Sequence, residues 1–445
     1  MFALRRLVWC SLGLLLSGCM SSPVSPPASV SLDRPTRLVL ANGMRLIIQE
    51  HRASEIVALH LWVGVGGRDE HPAELGFSHF VEHMLFKGTD ALGPGFTDRE
   101  VEAVGGRTNA GTSLDYTYYY MLLPARQAAR GIEVLADVAF NSAFDPKELD
   151  RERQVVFEEV RLGEDNPRTS LNRQLYTQVF PVHPYGRPVL GDEAVLRSAT
   201  RGTLRDYYKR HYVPENMTLV VVGAVDPTEV RATVARSFAR VPAAGYHRPP
   251  LPPPPSLAAV SRHVVSRNEK QAHLALGWSA PALDHPDVFA VDLLASILGG
   301  SRSSRLNQAL RERNRLVSAV RASYVALQGG GMLSVTAQLE PGDVQKVEEV
   351  VLEEIRRIQT DGVTEVERRR AITKAESEHA FAIETAEGLA SAYGLAETIW
   401  RLEEELRYLE RLRSVTREQI REAARRYLPA DRYAVLAFTP PGSSR

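Results

Sequence analysis

The sequence predicts an α+β fold made of two similar halves, each a mainly antiparallel sheet packed with helices. Three observations carry this. Residues 204–225 read as a helix, then His211-Tyr212-Val213-Pro214, then a strand Thr218-Leu219-Val220-Val221-Val222. Residues 420–438 repeat the order with Arg426-Tyr427-Leu428-Pro429 and Tyr433-Ala434-Val435-Leu436-Ala437. Both tyrosines stand two positions before a proline at an offset of 215 residues, which marks a duplicated unit about half the chain long. Second, residues 249–255 run Pro-Pro-Leu-Pro-Pro-Pro-Pro, a stretch that must be extended and cannot lie inside a helix or sheet. Third, 445 residues with 44% hydrophobic content suffice for about two sizeable domains. The expected boundaries are 36–242 for the first half, 243–257 for a proline-rich linker and 258–445 for the second half.

The chain begins with Arg5-Arg6 ahead of an apolar run, Leu7 to Leu16, too short to span a bilayer comfortably. The run ends in Leu16-Ser17-Gly18-Cys19, which resembles a bacterial lipoprotein signal. The expectation is a signal peptide over 1–18, lipidation at Cys19 and a flexible tether over 19–35, rich in Ser and Pro. A simple cleaved secretory signal is the alternative. Cys10 and Cys19 are the only cysteines, so the mature chain would hold no disulfide and no thiolate metal site. Met20 after the cysteine points to an outer-membrane lipoprotein facing the periplasm. Lys plus Arg and Asp plus Glu both number 54, so nothing suggests nucleic acid or a strongly charged substrate. No further stretch is apolar enough to cross a membrane.

Within the first half, His79-Phe80-Val81-Glu82-His83 carries the chemistry. With Phe77 at zero and 100° per residue, Glu82, His79 and His83 fall between about 140° and 240°. Phe77, Phe80, Val81, Met84 and Leu85 fill the opposite arc. The helix thus has an apolar back and a front of two imidazoles and a carboxylate, in the H-x-x-E-H order of an inverted zinc-peptidase signature. An ordinary amphipathic helix with solvated histidines would show the same five letters. A catalytic zinc takes three protein ligands, so a third must come from elsewhere. Residues 145–163 supply a candidate: Asp145 caps, Pro146 opens, Glu148 completes a capping box, and Gly163 reads as a stop. With Glu152 at 0°, Glu159 falls near 340°, between Val155 and Val156, while Glu158 falls near 240° among polar residues. A carboxylate facing a core needs a cation. Glu159 is therefore the expected ligand, Glu152 an auxiliary carboxylate and Glu158 surface, with pairing to nearby arginines as the alternative.

Residues 76–89, with His79-Phe80-Val81-Glu82-His83-Met84-Leu85-Phe86-Lys87-Gly88-Thr89, resemble the active-site helix of the pitrilysin/insulinase family of inverzincin metallopeptidases, and the bacterial branch similar to mitochondrial processing peptidase in particular. In that family the third ligand is a glutamate roughly 75 residues after the second histidine, preceded by another two helical turns earlier; Glu159 and Glu152 occupy those places. Gly105-Gly106-Arg107-Thr108-Asn109-Ala110 with Thr117-Tyr118-Tyr119 resembles the family's edge strand, and His183-Pro184-Tyr185-Gly186 a later loop. The resemblance runs from about Arg37 to Pro440. It implies two halves closing as a clamshell, the LuxS/processing-peptidase-like metallohydrolase fold. It further implies one Zn2+ per chain held by His79, His83 and Glu159, with Glu82 as general base and Glu152 supporting catalysis. Asn109 and Ala110 would hold an extended peptide through main-chain hydrogen bonds. Zinc over manganese or cobalt is a default from nitrogen-rich ligation.

The second half is expected to bind substrate and not metal. The counterpart of the histidine helix, residues 286–298, is apolar with only Asp287 and Asp292 as carboxylates, and His263, His273, His285 and His379 are scattered. In active single-chain relatives this half carries an arginine and, seven residues later, a tyrosine that touch the substrate. Arg311 matches the arginine, but the tyrosine position is Ser318. Tyr324 shares its strand face about 20 Å further along. The expectation is a metal-bearing subunit of a heterodimer whose paralogous chain carries the Arg/Tyr motif, with a self-sufficient chain or slower homodimer as the alternative. The rival reading is a non-catalytic clamshell binding or assembly protein related to respiratory-complex core subunits.

Overall fold

The computed structural model describes residues 34–254 and 256–442. The expected signal peptide, Cys19 and nearly all of the tether lie outside those residues. Six strands form the first sheet: β1 (Thr36–Val39), β2 (Arg45–Glu50), β3 (Ile56–Val63), β4 (Arg107–Thr112), β5 (Thr117–Pro124) and β6 (Met217–Gly223), in the order β1-β2-β6-β3-β5-β4. Five form the second: β7 (Ser261–Ser266), β8 (Ala272–Ala280), β9 (Val317–Leu327), β10 (Gly330–Leu339) and β11 (Ala434–Thr439), in the order β7-β11-β8-β10-β9. Without β1 the two orders are identical. In each sheet the last strand of the half inserts into the middle and makes the sheet's one parallel pair, β2 with β6 and β7 with β11. All other neighbours are antiparallel. The fold class is the expected one, and the tyrosine–proline rhyme marks the entry to these inserted strands, β6 and β11.

Each sheet buries one face against helices of its own half and the other against a helix lent by the opposite half. Helix Ala386–Ile399, from the second half, lies on β3 and β6; Leu389, Ala390 and Tyr393 pack with Ile47, Ala58, Trp62, Val220 and Val222. Gly394 is required there, because a Cβ would sit 2.0 Å from the Trp62 indole nitrogen. Reciprocally, helix Pro167–Val179 lies on the second sheet, where Leu171, Leu175 and Val179 meet Ala275, Ala434, Leu436 and Phe438. At roughly 1.5–3 kcal/mol per buried large side chain, either exchange outweighs any single polar contact between the halves. Arg37 and Arg45 fix the first helix by pairing with Glu397.

One buried group on the covered face of the first sheet has a consequence for acid stability. His60 stacks between Trp62 and Tyr120, with ring centroids 6.4 and 5.0 Å away, and both ring nitrogens lack a partner among the described residues. Burial drives its pKa from 6.5 down to about 3. The unfolded chain therefore takes up the proton first. The stability contributed by neutral His60 is complete above pH 6.5 and is lost as the pH falls toward 3, at about 1.4 kcal/mol per unit. By pH 4.5 that loss is roughly 3 kcal/mol. His60→Phe, which keeps the ring stack, is expected to shrink the drop in urea midpoint between pH 7 and pH 4.5.

Gly163 does not stop its helix. The helix runs from Pro146 to Asp165, and Asn166 ends it while its side chain accepts from Arg168 N and Thr169 N to start Pro167–Val179. Pro167 cannot supply the N–H that would continue the first helix, so the break falls there, and Gly163, whose backbone is not left-handed, carries no stop. A second departure is in β9. The ladder skips Ser318, pairing Ala319 with Gln338 and Val317 with Leu339. Ser318 is a bulge, so simple alternation does not place it on the Tyr324 face. Its hydroxyl donates to Gln338 O at 3.1 Å, while Tyr324 OH donates to Pro281 O at 2.6 Å.

Candidate metal centre

Helix Phe77–Leu85 carries both histidines, and its first turn is fixed from both sides. Gly76, the N-cap, has φ +92°, and a Cβ there would meet Gly191 Cα at 2.7 Å. Glu70 accepts from Gly76 N and Ser78 N at 2.8 Å each, a carboxylate at the positive end of the helix. Burial pushes the Glu70 carboxyl up to about 8, against the two main-chain donors that favour the anion. Ser78 Oγ meets Tyr207 OH at 2.7 Å. Phe77, Phe80, Val81, Met84 and Leu85 are buried in the first core, as the helical angles require, and His79 is 7% exposed. Helix Pro146–Asp165 packs alongside, with Asp145 capping Lys147 N and Glu148 N. Glu152 is buried, and Glu158 is exposed beside Arg161.

Three donor atoms converge between these helices. His79 Nε2 lies 3.2 Å from Glu159 Oε2 and 3.2 Å from His83 Nε2, and His83 Nε2 lies 3.6 Å from Glu159 Oε2. Atoms bound at roughly 2.0–2.1 Å in a tetrahedral zinc site stand about 3.3–3.4 Å apart. The triangle therefore has the size of one face of such a site, and two imidazoles with one carboxylate are a donor set zinc accepts. Among the described residues this is the only such group of histidines and carboxylates. The two histidines hold the Glu159 carboxyl below its usual range, His79 most strongly.

The support around the triangle is equally specific. His83 Nδ1 lies 3.0 Å from Glu152 Oε2, and Lys87 Nζ lies 2.9 Å from Glu152 Oε1. A carboxylate on the far nitrogen fixes the tautomer that leaves Nε2 as a lone pair, and the ammonium balances the carboxylate's charge. Glu152 thus meets His83 and Lys87, which makes it a positioning group. Lys87→Met is expected to weaken metal affinity about 10-fold, measured by competition with a chromophoric chelator. His79 Nδ1 is buried without a partner among the described residues. Glu82, half-buried, receives a hydrogen bond from Thr112 Oγ1 at 2.6 Å.

Strand β4 is an outer edge of its sheet. Ser113 N donates to Tyr116 O across the hairpin, so alternation turns the main-chain groups of Asn109 and Gly111 to β5 and those of Ala110 and Thr112 outward. Consistently, Ala110 N takes Asn109 Oδ1 as acceptor, 2.9 Å away. The geometry corrects the expectation for this pair: Ala110 offers main-chain groups at the open edge, whereas Asn109 presents only its side-chain amide there. Arg311 is exposed on the π-helical segment Asn307–Arg313, and no hydrogen bond or ion pair joins it to the metal donors among the described residues.

In the second half the equivalent elements, helix Val288–Gly299, β9 and helix Glu365–Ala382, enclose a cavity of about 700 Å³. Asp292 and Ser296, four apart on helix Val288–Gly299, line the cavity. Asp292 accepts from Tyr408 OH at 2.6 Å, and Glu378 pairs with Lys374. Among the described residues the three-donor group therefore has no counterpart in the second half.

Comparison with known proteins decides the family. Residues 45–193 match the description "Insulinase (Peptidase family M16)" and residues 198–375 match "Peptidase M16 inactive domain". The chain belongs to the M16 insulinase family. The M16 match over 45–193 contains His79, Glu82, His83, β4, Glu152 and Glu159. An uncharacterized zinc protease of Mycobacterium bovis is 31% identical over 95% of this chain and 97% of its own length. An uncharacterized zinc protease of Bacillus subtilis is 29% identical over 92% and 98%. A protease from Helicobacter pylori shares the M16 fold at TM-score 0.87 and 22% identity, over 92% of this chain and all of that one. The periplasmic protease PqqL of Escherichia coli matches at TM-score 0.75 and 22% identity, over 91% of this chain but 47% of its own.

Proposed function

We propose that this M16 chain is a zinc-dependent endopeptidase that cuts extended peptides or unfolded segments. The single observation behind the reading is the triangle of His79, His83 and Glu159 with Glu82 on the same helix. These three residues would hold the ion, and Glu82, one residue from a ligand but not itself one, would act as base. When bound, zinc supplies Lewis acidity, polarising a carbonyl and easing deprotonation of water near pH 7. Glu82 accepts the proton and returns it to the leaving amine. Glu152 and Lys87 keep His83 in its donor tautomer. Strand β4, with Ala110 and Thr112 facing outward, offers an edge on which an extended peptide adds as a further strand, and Asn109 offers a side-chain amide beside it.

The same reading makes this chain the metal-bearing subunit of a pair. Ser318 sits in a bulge and cannot reach where a tyrosine would, so a paralogous partner with an arginine and a tyrosine would complete the site, Arg311 remaining this chain's own contribution. The match to less than half of the Escherichia coli protease fits an active unit twice this size. Anchoring through Cys19 to an outer membrane, facing the periplasm, is proposed from the signal-like N-terminus alone.

The test is metal analysis of the purified full-length protein together with hydrolysis of an internally quenched unfolded peptide, alone and with a paralogous subunit. One zinc per chain and chelator-sensitive cleavage are expected. Bound zinc without cleavage in either arrangement would favour the binding or assembly reading. Absence of zinc would sink both the cofactor and the hydrolase.

A further inference from the structure

Thr112 ends β4, and its hydroxyl is the one side-chain group hydrogen-bonded to Glu82 among the described residues, 2.6 Å from Oε2. The direction of that bond follows from its neighbour. Thr117, directly opposite across the hairpin, lies 3.5 Å away through its own hydroxyl, whose single proton goes to Val65 O at 2.9 Å. Thr117 thus has no proton to offer Thr112, whose own proton is directed along the 2.6 Å contact and not the 3.5 Å one. Thr112 therefore donates to Glu82, and Oε1 is the oxygen left to work with. Thr112 itself has little freedom, because its hairpin is closed by the Ser113 N to Tyr116 O bond and Thr117 is paired on both sides, with Thr112 and with Val63.

The residue also stands on the strand whose outward main-chain groups are those of Ala110 and Thr112. A peptide adding to that edge would meet the backbone of the residue whose side chain holds Glu82. We propose that Thr112 is the positioning residue for Glu82: it fixes one carboxylate oxygen and ties the orientation of the other to the strand that receives the peptide. The inference rests on the reading of Glu82 as the base. It deepens that reading by coupling the base to the docking edge.

Two variants test it. Thr112→Val keeps the shape and removes the donor, and Thr112→Ser restores the donor. In crystals of the metal-free protein, Thr112→Val is expected to release the Glu82 carboxylate from its single position, while Thr112→Ser holds it. In the metal-loaded protein, Thr112→Val is expected to lower kcat about 10- to 100-fold with KM within about twofold and zinc content unchanged, and Thr112→Ser to recover most of the loss. On a Glu82→Gln background the valine substitution should add nothing. A Glu82 side chain unmoved in metal-free Thr112→Val, or a serine variant as slow as the valine one, overturns the proposal. If the wild type cleaves no peptide, the peptidase reading fails, and the Glu82 position in the metal-free variants still decides this one.

Discussion

Glu82→Gln is expected to lower peptide cleavage by about 10³-fold while the protein keeps its zinc. Glutamine has nearly the same shape and still accepts a hydrogen bond from Thr112, but it cannot take a proton from water. The side chain belongs to none of the three sides of the donor triangle, so metal content and affinity should stay near those of wild type. The contrast with His83→Ala separates the roles. That substitution removes a donor, leaves Glu152 and Lys87 facing an empty place, and should lose metal and activity together. Metal content by plasma emission and initial rates on a quenched peptide read both. A Glu82→Gln protein that still turns over at more than a tenth of the wild-type rate would remove Glu82 from the role of base.

Asp115→Ala is expected to cost about 3 kcal/mol of folding stability, the largest loss from any single polar side chain described here. Asp115 is fully buried in the hairpin between β4 and β5. Its carboxylate accepts from Tyr185 OH and Gln328 N at 2.8 Å each and meets Arg68 at 3.4 Å. Its main-chain oxygen accepts from Arg248 of the linker at 2.7 Å. Tyr185 OH in turn accepts from Gly329 N at 2.7 Å. Truncation leaves a tyrosine hydroxyl and an amide of the second half without their acceptor, and Arg68 with Asp69 as its remaining carboxylate, at 3.3 Å. Removing an exposed partner instead, as in Glu158→Ala opposite Arg161, should change little. Urea midpoints for the two variants give the comparison, and equal midpoints would refute the assignment.

Much of the first half was legible because helical periodicity is local. The angles alone put Glu159 apart from Glu158 and matched the apolar arc of the histidine helix, and the proline–tyrosine rhyme pointed to the duplication. What periodicity does not carry is contact between distant segments. Thr112 had a weak signal, two positions beyond Ala110 on an alternating strand, and Lys87 another, four positions after His83. Glu70 had none, since its capping role depends on a loop folding back on the helix start. The Ser318 bulge was hidden for a related reason: one extra residue shifts strand parity without altering composition. Gly163 misled because glycine permits a helix stop but does not impose one, whereas Pro167 does.

The reciprocal loan of helices bears on how the polypeptide acquires its shape. A fragment ending at residue 242 would bare the Trp62–Tyr118–His60 face that Ala386–Ile399 conceals, and a fragment starting at 258 would lack the cover provided by Pro167–Val179. The first half therefore cannot complete its packing as the ribosome releases it, whereas the second emerges with its covering helix already made. The early portion must wait, sticky and incomplete, until some 150 further residues have been synthesised. Slow assembly and dependence on a holding chaperone are the natural outcome of such long-distance pairing.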